Sequence, residues 1–99
     1  MDFKVIFRET FVTDLESIVR GIALHNPAAA ARFGESVINT AESLSFFPER
    51  FPTVRGRAGI RRFIAGRWFK VFYRVHSENK AVEILRCWDG RRESDPRFT

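Results

Sequence analysis

Cysteine is nearly absent: Cys87 is the only one. That excludes an internal disulfide and any cysteine-rich zinc site, and its place in a strand-like run predicts a small buried hydrophobe. No stretch approaches the ~20 apolar residues of a membrane span. The opening Met1-Asp2-Phe3-Lys4-Val5-Ile6-Phe7-Arg8 alternates like a strand and holds no apolar run of secretory length. A reducing cytosol and no membrane contact are the expectation. Histidine is limited to His25 and His76, and no spacing among the four Asp, eight Glu and these histidines suits a metal. Phosphate-cradling glycine motifs are missing, as is any Ser or Cys beside a plausible base in a nucleophile motif. No cofactor is expected. Lysine is scarce too, with three Lys against fourteen Arg.

What the chain does have is aromatic bulk and arginine. Ninety-nine residues make one domain, 1–99, with 93–99 a polar C-terminal tail. A chain this short buries only about two-thirds of the surface it exposes when unfolded, so its core needs large side chains, and eleven Phe and two Trp supply them. Charge is divided unevenly. Residues 1–49 carry four cations against seven acids, a net −3, whereas residues 50–99 carry thirteen against five, a net +8. From Arg50 to Arg74 there are eight cations and no acid. Arginine in such excess favours bidentate pairing with carboxylate or phosphate. The second half is therefore expected to meet an anionic partner: an acidic protein segment, a nucleic acid, or both.

Periodicity gives the elements. Residues 3–8 alternate as a short strand. Phe11, Leu15, Ile18, Val19 and Ile22 form the stripe of a helix near 11–25, and Thr13-Asp14-Leu15-Glu16 fits a capping box at its start. Asn26-Pro27 opens a second helix to about residue 45, with Phe33, Val37, Ala41 and Leu44 on its inner side. Pro48 should hold Phe47 extended, and 48–59 reads as a loop. Strands follow at 60–65, 68–75 and 81–88, joined by Gly66-Arg67 and by the polar turn 77–80. The prediction is an α+β fold, β-α-α-β-β-β, with a two-helix hairpin packed on one face of a small antiparallel sheet. Phe11, Leu15, Ile18, Phe33, Val37 and Leu44 should lie between the layers. The third strand turns Phe69, Val71, Tyr73 and Val75 to one side and Trp68, Lys70, Phe72 and Arg74 to the other. That second face is either a binding surface or is covered by the 48–59 loop and the tail.

In order, Asn26-Pro27-Ala28-Ala29-Ala30, Phe47-Pro48-Glu49-Arg50-Phe51-Pro52, Gly59-Ile60-Arg61-Arg62-Phe63, Val71-Phe72-Tyr73-Arg74-Val75 and Ile84-Leu85-Arg86 running into Gly90-Arg91-Arg92 resemble the RelE/ParE toxin superfamily, and specifically its ParE, or plasmid-stabilisation, branch. The resemblance spans roughly residues 3–92. The segment Gly66-Arg67-Trp68-Phe69-Lys70 is one residue longer than the family's usual hairpin. The resemblance implies the toxin of a type II toxin–antitoxin pair, neutralised by a ParD-like antitoxin through which alone it would reach DNA. It implies DNA gyrase as the target of the ParE branch. The alternative, from the RelE branch, is ribosome-dependent cleavage of messenger RNA.

The residues bear on both. An antitoxin's acidic segment would fold against Arg61, Arg62, Trp68, Lys70, Phe72 and Arg74. A metal-free ribonuclease would draw on Arg61, Lys70, Tyr73 and Arg86, with cations stabilising the transition state and a perturbed side chain moving protons. That branch, however, usually carries a lysine-rich loop and a Tyr or His near its C-terminus, and here the tail ends in Phe98-Thr99. Arginine is a poor base. Arg91 and Arg92, beyond the last strand, are the expected target contacts. A nucleic-acid-binding module is a third class: the basic patch suits it, but both helices lie in the acidic half, so no recognition helix carries the charge. Strand-borne arginines could still touch phosphates without reading sequence.

Overall fold

A computed structural model describes residues 2–98. Strand β1 (Lys4–Phe7) leads into helix α1 (Glu9–Ala23), and helix α2 (Pro27–Ser43) returns across a tight turn. A short 3-10 turn at Pro48–Arg50 and a loop precede β2 (Ile60–Ala65), β3 (Phe69–His76) and β4 (Ala81–Asp89). The α2 start is as its sequence dictates: Asn26 is extended, its Oδ1 accepts from the Ala29 amide at 3.0 Å, and Pro27 takes the first helical position. Phe47 departs from expectation, with φ 45° and ψ 58° in the left-handed region. Pro48 disfavours the right-handed helical conformation at the preceding residue, and the left-handed one also turns the chain out of α2. Arg50 fixes this corner by donating to the Phe46 carbonyl at 2.9 Å and to the Ser43 hydroxyl.

The sheet runs in the order β1-β4-β3-β2. The hairpins β2–β3 and β3–β4 are antiparallel as expected. Strand β1, however, joins β4 in parallel, Lys4 opposite Ala81 through Phe7 opposite Ile84, so the sheet is mixed. A parallel neighbour requires a long crossover connection, and here the connection from β1 to β4 includes both helices and the other two strands. The helices cover one face, burying Phe11, Leu15, Val37, Ala41 and Leu44 against Phe63, Val71, Tyr73, Val82 and Ile84. Ile18 and Phe33 pack on the edge of this core, half-buried rather than enclosed.

The second face is covered. Phe72, Ile60 and Leu85 form a smaller core with Val54 from the loop and Phe98 from the C-terminal segment. The rings of Phe72 and Phe98 meet at 5.0 Å and 60°, and Pro96 is fully buried. The segment read as a polar tail is thus a strap. Its backbone carbonyls accept from Trp88 Nε1 at Ser94 (2.9 Å), Arg86 Nη1 at Arg97 (2.9 Å) and Arg8 Nη1 at Phe98 (3.1 Å). Thr99, the end of the tail expected to reach a target, lies outside the described residues, as does Met1.

Helix α1 starts without a side-chain cap, at Glu9 and not at Thr13. Its first turns serve the sheet instead. Pairing of β1 with β4 ends at Ile84, and a bulge between Phe72 and Tyr73 sets Leu85 out of register. This leaves backbone groups of β4 in need of partners. Thr10 Oγ1 donates to the Leu85 carbonyl at 3.0 Å, and Asp14 Oδ2 accepts from the Cys87 amide at 3.1 Å. Asp14, expected in a capping box, therefore closes the edge of β4.

Candidate functional site

The end of β4 carries the densest set of functional side chains. Asp89 and Gly90 turn the chain back over the β2–β3 hairpin, whose loop is Gly66-Arg67-Trp68 because Ala65 pairs directly with Phe69. Trp68 therefore sits in the turn and not on the strand. The Gly90 amide donates to the Trp68 carbonyl at 2.9 Å. A Cβ at Gly90 would stand 2.2 Å from that oxygen, so the close approach demands glycine. The approach brings Arg91 onto an indole, 4.3 Å from the Trp68 ring centre, while Arg92 turns back over its own strand to lie 4.4 Å from that of Trp88. Arg91 also donates from Nε and Nη2 to the two carboxylate oxygens of Asp89, at 3.0 and 2.7 Å. These bonds hold the Asp89 carboxyl down to about 2. Arg91 and Arg92 are exposed as expected, but oriented by these partners.

The residues named for a ribonuclease do not form one cluster. Tyr73 is 0% exposed in the helix-side core, where its hydroxyl donates to the Pro48 carbonyl at 2.6 Å. Burial raises its pKa, with Arg61 opposing. Arg61, opposite Tyr73 across β2–β3, donates to the carbonyls of Glu49 at 3.0 Å and Phe51 at 2.7 Å. Together they pin the 48–51 turn to the sheet. Arg86 forks onto Asp14, Nε to Oδ2 at 2.6 Å and Nη2 to Oδ1 at 3.0 Å. Lys70 faces the strap, with Nζ 3.8 Å from Asp95. Each has a structural partner.

Of the residues named for the antitoxin, Arg62 and Arg74 lie half-exposed on β2 and β3, and Trp68 at the hairpin tip. Phe72 is sealed beneath Phe98. Sequence reasoning missed the pairing of Asp14 with Arg86, that of Asp89 with Arg91 and the packing of Phe98 on Phe72. Asp89 was legible in principle from its adjacency to Arg91; the other two meet their partners only through the fold. Among the described residues, no group of three His, Cys, Asp or Glu is placed to hold a metal ion, and no helix is long and apolar enough to cross a membrane.

Residues 5–94 match the family described as the ParE toxin of the type II toxin–antitoxin system parDE. The chain belongs to the ParE toxin family. It is accordingly a toxin of the type II toxin–antitoxin class. Among curated proteins, none matches its sequence. Among solved structures, the chromosomal ParDE system of P. aeruginosa contains a similar chain, with a TM-score of 0.73 at 19% identity over 86% of this chain and 92% of that one. The RelBE-type toxin–antitoxin complex of Mycobacterium tuberculosis gives 0.65 at 28% identity, over 92% and 100%. A free E. coli RelE mutant gives 0.66 at 14% identity, over 92% and 86%. Below 25% identity the likeness concerns the fold alone. The ParE fold thus includes the mixed sheet and the covering helix hairpin seen here.

Proposed function

We propose that this ParE toxin acts in the cytoplasm by binding a protein, DNA gyrase, and that a ParD-like antitoxin neutralises it by laying an acidic segment over its arginine-rich half. The observation that carries the reading is the commitment of Tyr73. A general acid or base must reach its substrate within hydrogen-bond distance, and this hydroxyl is enclosed and already bonded to Pro48. Arg61 and Arg86 are likewise committed, to backbone carbonyls and to Asp14. Messenger-RNA cleavage of the RelE type, the alternative, would rest on Lys70, whose 3.8 Å approach to Asp95 is the loosest of these contacts. Arg91 and Arg92, by contrast, stand at the surface on oriented indole faces, and Arg and Trp are the residue types that dominate protein contacts.

Arg91→Ala together with Arg92→Ala tests the reading. Expressed without antitoxin, the double variant should permit growth while still unfolding cooperatively, with a melting temperature lowered by only a few degrees through loss of the exposed Asp89 pair and the indole contacts. Growth arrest equal to the wild type would remove these arginines from the target contact.

A further inference from the structure

A second set of arginines is held apart from the end of β4. A groove of about 420 Å3 runs between the loop at 56–58 and the C-terminal strap, lined by Arg57, Arg74 and Arg97. Among the described residues, no carboxylate pairs with any of these three. The acids at hand are otherwise engaged. Asp95, also on the groove, faces Lys70, and Glu83, opposite Arg74 in the sheet, gives one oxygen to Arg8 at 2.9 Å and the other to His76 at 3.0 Å. Three guanidinium groups around one groove repel one another, so the surface is complementary to an anion.

The surroundings narrow the kind of anion. An amphipathic acidic peptide needs apolar pockets as well as cations, but the floor here is closed: Ile60, Phe72, Leu85 and Phe98 are all buried. A single-stranded nucleic acid is held by stacking its bases on open aromatic faces. Here Arg57 lies over the Phe98 ring at 5.3 Å, and Arg86 and Arg92 lie over Trp88. What remains is an open cationic groove whose apolar lining, Ile60, Pro96 and Phe98, is itself buried and offers neither a deep side-chain pocket nor an open stacking platform, which suits the phosphates of a duplex.

We propose that this groove binds the phosphate backbone of double-stranded DNA without reading its sequence. The toxin then makes DNA contacts of its own instead of reaching DNA only through its antitoxin. The inference does not depend on gyrase being the target.

Fluorescence anisotropy of the antitoxin-free full chain with a labelled 20-base-pair duplex of arbitrary sequence, from about 50 to 200 mM salt, tests it. Three phosphate contacts give a slope of log K against log salt near −2.7, roughly a 40-fold loss of affinity across that range. Arg57→Gln, Arg74→Gln and Arg97→Gln should each flatten the slope by about 0.9, whereas Arg20→Gln, on the exposed side of α1, should leave it in place. Circular dichroism confirms folding, and the single variants keep the test valid if a triple variant does not fold. A slope that the three groove variants leave unchanged overturns the proposal. So does a single strand of equal length binding as tightly as the duplex, or polyglutamate displacing the duplex at a lower concentration than unlabelled duplex does.

Discussion

Tyr73 and Asp89 show how neighbours, more than residue type, decide what a side chain can do. Tyr73 is the family-motif tyrosine of β3, and its hydroxyl is spent on holding the turn at Pro48. Tyr73→Phe leaves that buried carbonyl unpaired, which should cost about 1–3 kcal/mol, read as a lower melting temperature. It should leave toxicity intact at a temperature where the variant is folded. Toxicity lost from a folded Tyr73→Phe protein would return the hydroxyl to a chemical role. Asp89 is the opposite case, a half-buried carboxyl at the rim of the sheet drawn down to about 2 by the bonds from Arg91. Its folded value lies below its unfolded one, so the pair contributes stability above the ordinary carboxylate range and loses it as pH falls towards 2. A carbon-detected NMR titration should find the Asp89 carboxyl still ionised at pH 3, and Arg91→Ala should move its midpoint upward. An unchanged midpoint in that variant would assign the shift to something other than the arginine. Cys87 is inert for a simpler reason: burial, helped by the charge of Asp14, pushes its thiol up to about 12.

The junction of α1 with β4 carries more of the fold than its sequence suggests. Asp14 accepts from Arg86 through both oxygens and from the Cys87 amide through one. Asp14→Ala strands a half-buried guanidinium and a strand amide together, and should destabilise by about 2–3 kcal/mol. An equilibrium urea titration checks this, and a change within ~0.5 kcal/mol would mean that the contacts carry little. The elements themselves were legible in the sequence, because the stripe Phe11-Leu15-Ile18 and the alternation Val71-Tyr73-Val75 each repeat several times. The Asn26 cap was legible because it acts within three residues. Sheet order was not, since β1 alternates the same way whether it lies parallel or antiparallel to its neighbour. The strap escaped notice because its apolar anchors, Pro96 and Phe98, stand singly among polar residues, too few to show a period. The pairing of Asp14 with Arg86 spans 72 positions, and no local pattern reports a partner at that distance. Arg91 and Arg92 could be picked out as lying beyond the strand, but the indole beneath Arg91 depends on the Gly90 approach to Trp68.

Taken whole, the molecule divides its labour between its two halves. The acidic first half supplies the edge strand β1 and the helix hairpin, while the second half, net +8, supplies the other three strands and thirteen of the seventeen cations, the two halves meeting in the main core. A partner with an acidic segment is steered to one side of such a molecule, and steering of this kind weakens as salt rises. The same arrangement underlies the central claim, that the free toxin disables gyrase by contact and not by cutting RNA. The direct measurement adds purified, antitoxin-free protein to a gyrase supercoiling reaction and, in parallel, to translating ribosomes with an end-labelled message. The account predicts that supercoiling stops, that the message stays intact, and that prior addition of a ParD-like antitoxin restores supercoiling. Message cut at codon spacing while supercoiling proceeds normally would contradict it.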